Sequence, residues 1–297
     1  MQLTEIAKPK LVCQSNALVQ ASYRLSLLEI QLVRFAIHQA RETNTGLSPT
    51  APCKISVSEF AKAFALQDTG NLYRNLRDAS ARLIKRSVTI PYYNAEAKLS
   101  YTETNWLQDR NYCDGQGSLE VTFTRLVIPH FTRLDEEFTK YDLKVIGQLT
   151  SVHAVRLYEL LKQYQKIGKR ELKLAEIRDF LQLGDSYRQD NIKARVIDPA
   201  IEQINKFTDL EVDKKYKSIR TGRNITALLF KFKASDQQIK RKPRQTAMRF
   251  NQVSNADSNI PISASHQLAK PIESGKAPSP EIRAQLQSFI NKTTGKE

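Results

Sequence analysis

The sequence predicts an α+β fold in which one small domain occurs twice, and three observations indicate this. A short amphipathic segment recurs, as SEFAKAFAL at residues 58–66 and as AEIRDFLQL at residues 175–183, with the same spacing of apolar residues. Similar helices and strands are predicted around both copies. A length of 297 residues suits two domains of ordinary size.

A long amphipathic helix is predicted before each copy of the segment. Residues 25–40 carry leucines and a phenylalanine at helical spacing, and residues 150–164 show the same pattern. Short extended segments, residues 53–57 and 170–174, then lead into the two copies. Each half therefore begins with helix, short strand and helix.

The start of the repeated helix differs between the halves. Ser56 and Glu59 have the spacing of a capping box, which satisfies backbone N–H groups at a helix start. The second copy has Lys173 in place of the serine, and lysine carries no acceptor. We therefore expect this cap to be absent from the second copy.

A further helix and a set of strands follow each copy. The helix is predicted at residues 71–85 in the first half and from residue 185 in the second. β-branched and aromatic runs come next, and in the second half they read as two strands joined at Thr221-Gly222. This is the order of a winged helix, whose central helices form a helix-turn-helix. The predicted fold is two winged-helix domains in tandem.

The predicted boundaries divide the chain into three parts. The first winged-helix domain is expected at residues 14–145, the second at residues 146–233, and a basic, largely disordered tail at residues 234–297. Ser279 and the proline after it predict one short helix in the tail, at residues 280–291. This helix would either dock on a host protein or remain an idle terminus.

The charge of the chain bears on its partners. A formal net charge of +15 favours nucleic acid first and a membrane surface second. The chain has no apolar run near the roughly 20 residues of a spanning helix, and its start lacks a secretory signal. Cys13, Cys53 and Cys113 are odd in number and far apart, which argues against disulfides and zinc. We expect a cytoplasmic protein without a metal or cofactor.

The polar start of the third helix in the second domain is predicted to read base edges in double-stranded DNA. Arginine pairs well with guanine, and asparagine or glutamine with adenine, in the first turns of a recognition helix. Pro199 is expected to bend this helix further along. The alternative is a solvated polar face. The candidates are Arg188, Gln189, Asn191, Lys193 and Arg195.

Two more basic clusters are predicted to contact the DNA backbone. Cations on a protruding wing suit phosphates or the minor groove, although a solubilising loop is the alternative. In the first domain, Asp78 weakens the field of three arginines that lie off the apolar face of the third helix. The candidates are Lys214, Lys215, Lys217, Arg220 and Arg223 on the wing, and Arg74, Arg77 and Arg82 on the first-domain helix.

The sequence predicts no catalytic residue. A rolling-circle nickase needs two histidines around one apolar residue, and His38, His130, His153 and His266 lie far apart. A GxxxxGK[ST] phosphate-binding loop is also absent, which argues against ATPase or helicase activity. We therefore expect a binding protein and not an enzyme.

Three leucines are candidate dimerisation residues. Leu18, Leu25 and Leu32 fall seven residues apart, which is the spacing of a zipper seam. Three are too few for a coiled coil without sustained heptads, so packing inside the first domain is the favoured alternative. A dimer through these residues stays open.

The chain resembles the replication initiator (Rep) proteins of theta-replicating, iteron-containing bacterial plasmids, across residues 14–233. The resemblance rests on five motifs in order: NALVQASYRLSLLEIQLVRFAI, SVHAVRLYELLKQY, LKLAEIRDFLQL, RVIDPAIEQINKFTDLEV and KSIRTGRNITALLFKF. It implies two winged-helix domains related by a pseudo-two-fold axis. It also implies a nucleoid- or plasmid-associated protein that binds direct repeats (iterons) at an origin as a monomer.

The resemblance implies further partners. A homodimer would repress the protein's own promoter at an operator inverted repeat, and the host initiator and the replicative helicase would be recruited. Two rival functions remain at this stage. One is a winged-helix transcription regulator without initiator activity. The other is an RNA-binding protein, which is disfavoured because no RNP-like aromatic strand or GXXG loop is present.

Overall fold

The structure is a computed structural model that describes most of the chain. It describes residues 9–67, 70–112, 115–134, 137–184 and 187–235. All of these belong to one compact unit, Met1–Gln245. The predicted helix at residues 280–291, and the tail from residue 236, lie outside the described residues. Among the helices described, none is both long and apolar enough to cross a membrane.

Helices and strands alternate along the described chain. The helices are α1 (Asn16–Val19), α2 (Leu27–Thr43), α3 (Val57–Phe64), α4 (Gly70–Leu83), α5 (Pro129–Thr132), α6 (Leu143–Gln148), α7 (Val152–Lys162), α8 (Leu174–Leu181), α9 (Gln189–Ile192) and α10 (Asp198–Phe207), with a π-helical turn at Lys193–Ile197. The strands are β1 (Leu11–Ser15), β2 (Cys53–Ser56), β3 (Ser87–Tyr93), β4 (Leu99–Asn105), β5 (Leu107–Tyr112), β6 (Ser118–Phe123), β7 (Phe138–Asp142), β8 (Lys169–Lys173), β9 (Leu210–Val212), β10 (Lys217–Thr221) and β11 (Asn224–Ala234).

One order of elements occurs twice. The first winged helix consists of α2, β2, α3, α4 and the hairpin β5–β6, and its antiparallel sheet has the order β2-β6-β5. The second consists of α7, β8, α8, the helical stretch from α9 to α10 and the hairpin β10–β11, with the order β8-β11-β10. The predicted tandem of winged helices is confirmed.

The long first helix is buried along most of its length. It begins at a capping box, in which Ser26 Oγ accepts from the backbone N–H of Glu29 at 3.3 Å and the Glu29 carboxylate accepts from that of Ser26 at 2.8 Å. Every side chain from Leu28 to His38 is buried, because α4, α6, β1 and β2 pack around α2. The core of the first winged helix is therefore built around α2.

The cap of the repeated helix differs from its prediction. In the first copy Ser56 Oγ accepts from the Glu59 N–H at 3.4 Å, as expected. In the second, the Lys173 N–H donates to Glu176 Oε2 at 2.9 Å. The second copy therefore keeps the half of the capping box that the glutamate forms, and the expected absence of a cap is wrong for this half. The glutamate accepts from the backbone N–H of residue 173, so this bond does not depend on the side chain at that position.

A separate hairpin, β3–β4, is inserted between α4 and the first wing. Its strands pair with each other from Ser87 to Asn105, and β3 also forms an isolated bridge to Ser22. The run SYTETNWLQDR at residues 100–110 has the alternation typical of one strand, but it is divided between β4 and β5. The division falls at Trp106, which is fully buried with its ring 5.1 Å from that of Tyr23. Burying the indole turns the chain from one sheet into the other.

The first winged helix contacts the second through the chain before α2. Strand β1 pairs with β7, close to the start of the second winged helix. Beyond β1, Gln20 Nε2 donates to Gln163 Oε1 at 3.2 Å, and Ser22 Oγ donates to the Asp179 carbonyl at 3.2 Å. Residues 14–23 therefore form much of the junction between the two winged helices.

The three leucines at seven-residue spacing do not share one helix. Leu18 lies on α1, Leu25 lies before α2, and Leu32 lies on α2. All three are at most 5 % exposed and belong to the core. The zipper interpretation is wrong because the chain leaves helical conformation between Val19 and Leu27. The leucines pack inside the protomer, which was the favoured alternative.

Candidate DNA interface

The recognition segment of the second winged helix has one face free for contacts. Asn191 and Arg195 are four residues apart on the helical stretch, which places them on one side of it, and Arg188 directly precedes its first turn. Arg188 and Arg195 are exposed and Asn191 is partly exposed, whereas Ile192 and Val196 are buried. These three predicted contacts therefore form one polar face.

The other two predicted contacts in this segment face the wing. Gln189 Oε1 accepts from the Ile225 N–H at 3.3 Å. Lys193 Nζ lies 3.3 Å from Ser218 Oγ and 5.3 Å from the centre of the Tyr216 ring. Both residues bind β10 or β11 in this structure, so they hold the wing against the helix. Their assignment as base contacts stays a prediction, and in this structure both also position the wing.

The helical stretch between α9 and α10 contains one turn, just before Pro199, whose hydrogen bond spans five residues and not the usual four. The Asp198 N–H donates to the Lys193 carbonyl, five residues earlier, which defines a π-helical turn. Proline has no N–H and disturbs the hydrogen bonds of the preceding turn. The wide turn, Lys193–Ile197, lies where the bend before Pro199 was expected; it carries Arg195 of the polar face and leads directly into α10.

The wing of the second domain ends in a basic turn. Thr221 pairs with Asn224, so the turn residues are Gly222 and Arg223, one residue later than predicted. Gly222 has φ +61°, which favours glycine. The cations of the wing are exposed: Lys217, Arg220 and Arg223.

Lys214 and Lys215 lie elsewhere. They precede β10 in a turn where the Lys215 N–H donates to Asp213 Oδ1 at 2.8 Å and the Asp213 N–H to the Lys231 carbonyl at 2.9 Å. From Lys231 to the wing turn, β11 runs for about 23 Å at roughly 3.3 Å per residue. The prediction that these two lysines flank the turn is wrong, because β9 and its turn come between α10 and the wing.

The first winged helix presents a smaller basic cluster. Arg74 on α4 is exposed, and the guanidinium of Arg77 lies 5.7 Å from the centre of the Tyr112 ring. Arg110 lies 4.8 Å from the same ring and donates to the Arg77 carbonyl at 3.4 Å. Arg110 and Tyr112, on β5, were not among the predicted contacts. Residues two apart on a strand lie on the same face, and these two stand beside the glycine-rich turn of a wing. This pattern in the sequence could have indicated them.

Arg82 is used inside the first domain. Its Nε lies 2.7 Å from an oxygen of the fully buried Glu29 carboxylate, and Arg86 lies 3.7 Å from the other oxygen. A buried carboxylate requires such partners. Arg82 therefore ties α4 to α2, and since its side chain is 49 % exposed its assignment as a DNA contact stays a prediction.

Comparison with known proteins assigns the family. The family described as "Initiator Replication protein, WH1" matches residues 11–162, and that described as "Initiator Rep protein, WH2" matches residues 173–232. These ranges cover most of the chain, and the first runs through α7. The chain belongs to the two-domain winged-helix initiator replication proteins.

The proteins similar to the chain include an uncharacterised relative and an initiator of known structure. An Escherichia coli protein described as "Uncharacterized 27.6 kDa protein" is 24 % identical over 230 residues, which cover 74 % of this chain and 94 % of that protein. The crystal structure of the Pi initiator protein in complex with iteron DNA has a TM-score of 0.61 and 18 % identity. It covers 78 % of this chain and 100 % of its own. At this identity the likeness to Pi shows a common fold.

Proposed function

We propose that this protein initiates replication of a bacterial plasmid by binding directly repeated sequences at the origin. The observation that carries the proposal is the tandem of winged helices, each with a basic helix beside a wing, in a chain of the initiator family. Two such modules on one chain can read successive major grooves, about 34 Å apart. A monomer would then cover one repeat about two turns long without a palindrome.

Selection of bound duplexes from a random pool tests the sequence-reading part of the proposal. We expect one two-part site, with its halves about one turn apart, and copies of it as direct repeats beside the coding region. A transcription regulator would instead select only an inverted repeat, because a two-fold dimer imposes that symmetry. Enrichment of duplexes without any common sequence would contradict the proposal.

The proposal includes a homodimer that represses the promoter at an inverted repeat. An exposed surface on the β3–β4 hairpin supports this part. Tyr93 pairs with Leu99 and Pro91 with Tyr101, and directly paired residues share a face of the hairpin. Tyr93, Leu99 and Tyr101 are 74 %, 51 % and 62 % exposed. Such a patch favours contact with a second copy. The monomer bound at the origin would recruit the host initiator and the replicative helicase.

A charge on the hairpin face should abolish the dimer. We expect Tyr101→Lys to give a monomer in sedimentation experiments and to relieve repression, while binding to a single direct repeat is retained. Tyr101 is exposed, so folding should be unaffected. Glu96→Lys, an exposed change in the turn of the same hairpin, is the control and should dimerise normally. A Tyr101→Lys protein that still dimerised would place the dimer surface elsewhere.

A further inference from the structure

Two arginines and a glutamate are buried together where the first winged helix meets the second. Arg34 lies on α2, and Arg156 and Glu159 lie on α7, which packs on α8 and α10. Each is at most 1 % exposed. With their polar neighbours they form a group that we call the junction network: Gln14, Tyr23, Arg34, Tyr141, Arg156 and Glu159.

The Glu159 carboxylate accepts hydrogen bonds from three elements of the first domain. Arg34 donates to its two oxygens through Nε at 2.7 Å and Nη2 at 3.0 Å. The Tyr141 hydroxyl donates at 2.5 Å and Gln14 Nε2 at 3.1 Å. Burial acts to raise the pKa of Glu159, but the Arg34 and Arg156 guanidinium groups and the Tyr141 hydroxyl together outweigh it and hold the pKa below its ordinary value. The carboxylate is charged, so it ties α7 to α2, β1 and β7.

Arg156 connects α7 to the chain before α2. Its Nη2 donates to the Ala21 carbonyl at 2.6 Å, and its Nη1 donates to the Val19 carbonyl at 3.1 Å and to the Tyr23 hydroxyl at 2.6 Å. The same hydroxyl accepts from Arg34 Nη2 at 2.6 Å. One oxygen atom of Tyr23 therefore joins an arginine of the first winged helix to an arginine of the second.

The chemistry of this network suits positioning better than stability. Burying charges costs about as much as pairing them returns, so a buried ion pair adds little net stability. Apolar contacts have no preferred direction and permit small displacements. Hydrogen bonds weaken steeply outside a narrow range of distance and angle. A junction held by this many directed bonds therefore has one preferred arrangement.

We propose that the junction network sets the distance and rotation between the two winged helices, and so the spacing of the half-sites that a monomer accepts. This inference rests on the proposed DNA-binding function. Each base pair of spacer moves a half-site by about 3.4 Å and turns it by about 35°. A junction that kept its arrangement to within a few ångströms would reject a wrong spacing, whereas a loose one would accept several.

Spacing selectivity tests the inference in the full chain. Inserting two base pairs between the selected half-sites should weaken wild-type binding roughly 100-fold, because one domain loses its base contacts. In Tyr23→Phe and Glu159→Gln the loss of affinity caused by the insertion should be about tenfold smaller. A looser connection lowers the effective concentration of the second domain at the original spacing, and it lets that domain reach the displaced half-site. Tyr158→Phe is the matched control. It removes a buried hydroxyl whose bond, to Asp209 Oδ1 at 2.9 Å, lies within the second winged helix.

A distance measurement without DNA separates failure of the inference from failure of the proposed function. Spin labels at Lys62→Cys on α3 and Glu202→Cys on α10, both exposed positions, report the distance between domains once Cys113 is replaced by serine. Cys13 and Cys53 are buried. We expect a narrow distribution in wild type and Tyr158→Phe, and a broader one in Tyr23→Phe and Glu159→Gln.

The two readouts have distinct outcomes. The inference is overturned if folded network variants keep the wild-type width of the label-distance distribution. It is also overturned if they lose as much affinity as wild type when two base pairs are inserted between the half-sites. A wild-type protein that selects no DNA sequence contradicts the proposed function, and the label distances then decide the inference alone. If Glu159→Gln unfolds, Tyr23→Phe decides both readouts, since it removes a single oxygen atom and leaves the ring in place.

Discussion

Raising the salt concentration from 50 to 200 mM should weaken specific duplex binding by about 10⁴-fold. Neutralising about eight phosphates releases their counterions and gives a log–log slope of roughly −7. The net charge of +15 and the exposed cations of the second wing and both third helices support this number of contacts. Affinity measured by fluorescence anisotropy across this range gives the slope directly.

Single lysine variants show where the phosphate contacts lie. Lys217→Ala, on the wing, should reduce the slope by about 1. Lys214→Ala is the matched control, because this lysine lies in the turn before β10 and away from the wing tip. A slope that hardly changed with salt would contradict an electrostatic interface. If Lys214→Ala and Lys217→Ala reduced the slope equally, Lys214 would belong to the DNA interface although it lies away from the wing tip.

The second large effect is expected on the polar face of the recognition segment. Arg195→Ala or Asn191→Ala should cost about 1–3 kcal/mol of binding free energy and relax the preference at one or two base pairs. Both side chains reach outward from a helix whose buried side is fixed by Ile192 and Val196. Lys217→Ala should instead weaken binding to all sequences by a similar factor, because phosphates carry no sequence information.

Binding to a set of sites, each with one base pair replaced, distinguishes these effects. Arg195→Ala should lose discrimination at one position while its binding to random duplex stays close to that of wild type. If Arg195→Ala and Lys217→Ala weakened specific and random DNA equally, the recognition face would be assigned wrongly. Gln189→Ala offers an internal comparison, since Gln189 bonds the wing and should affect all sequences alike.

The tandem fold was predictable because it depends on local patterns that occur twice. Apolar spacing at residues 58–66 and 175–183 indicated the repeated helix, and the structure places α3 and α8 there. Buried positions of α4, such as Leu72, Leu76 and Leu83, also followed from helical periodicity. The divided strand at Trp106 did not, because it depends on a ring packing against Tyr23 from another part of the chain.

The candidate site was less predictable, because periodicity shows which face of a helix is polar but not what lies opposite. Arg82 is 53 residues from Glu29 in sequence, and its pairing depends on how α4 crosses α2. Lys193 bonds Ser218 for the same kind of reason. The junction network is the extreme case, since Arg34 and Glu159 are charged residues on predicted helices and would ordinarily be assigned to the surface. Their burial depends on two domains meeting.

We propose that this protein initiates replication and does not only regulate a promoter. The direct measurement supplies the gene in trans to a plasmid that carries only the adjacent direct repeats, and counts plasmid-bearing cells over generations. Wild type should maintain the plasmid, whereas a deletion of residues 1–145 should lose it, since the deletion lacks the first winged helix. A wild-type protein that represses its promoter but never sustains the plasmid would contradict the account and identify a transcription regulator.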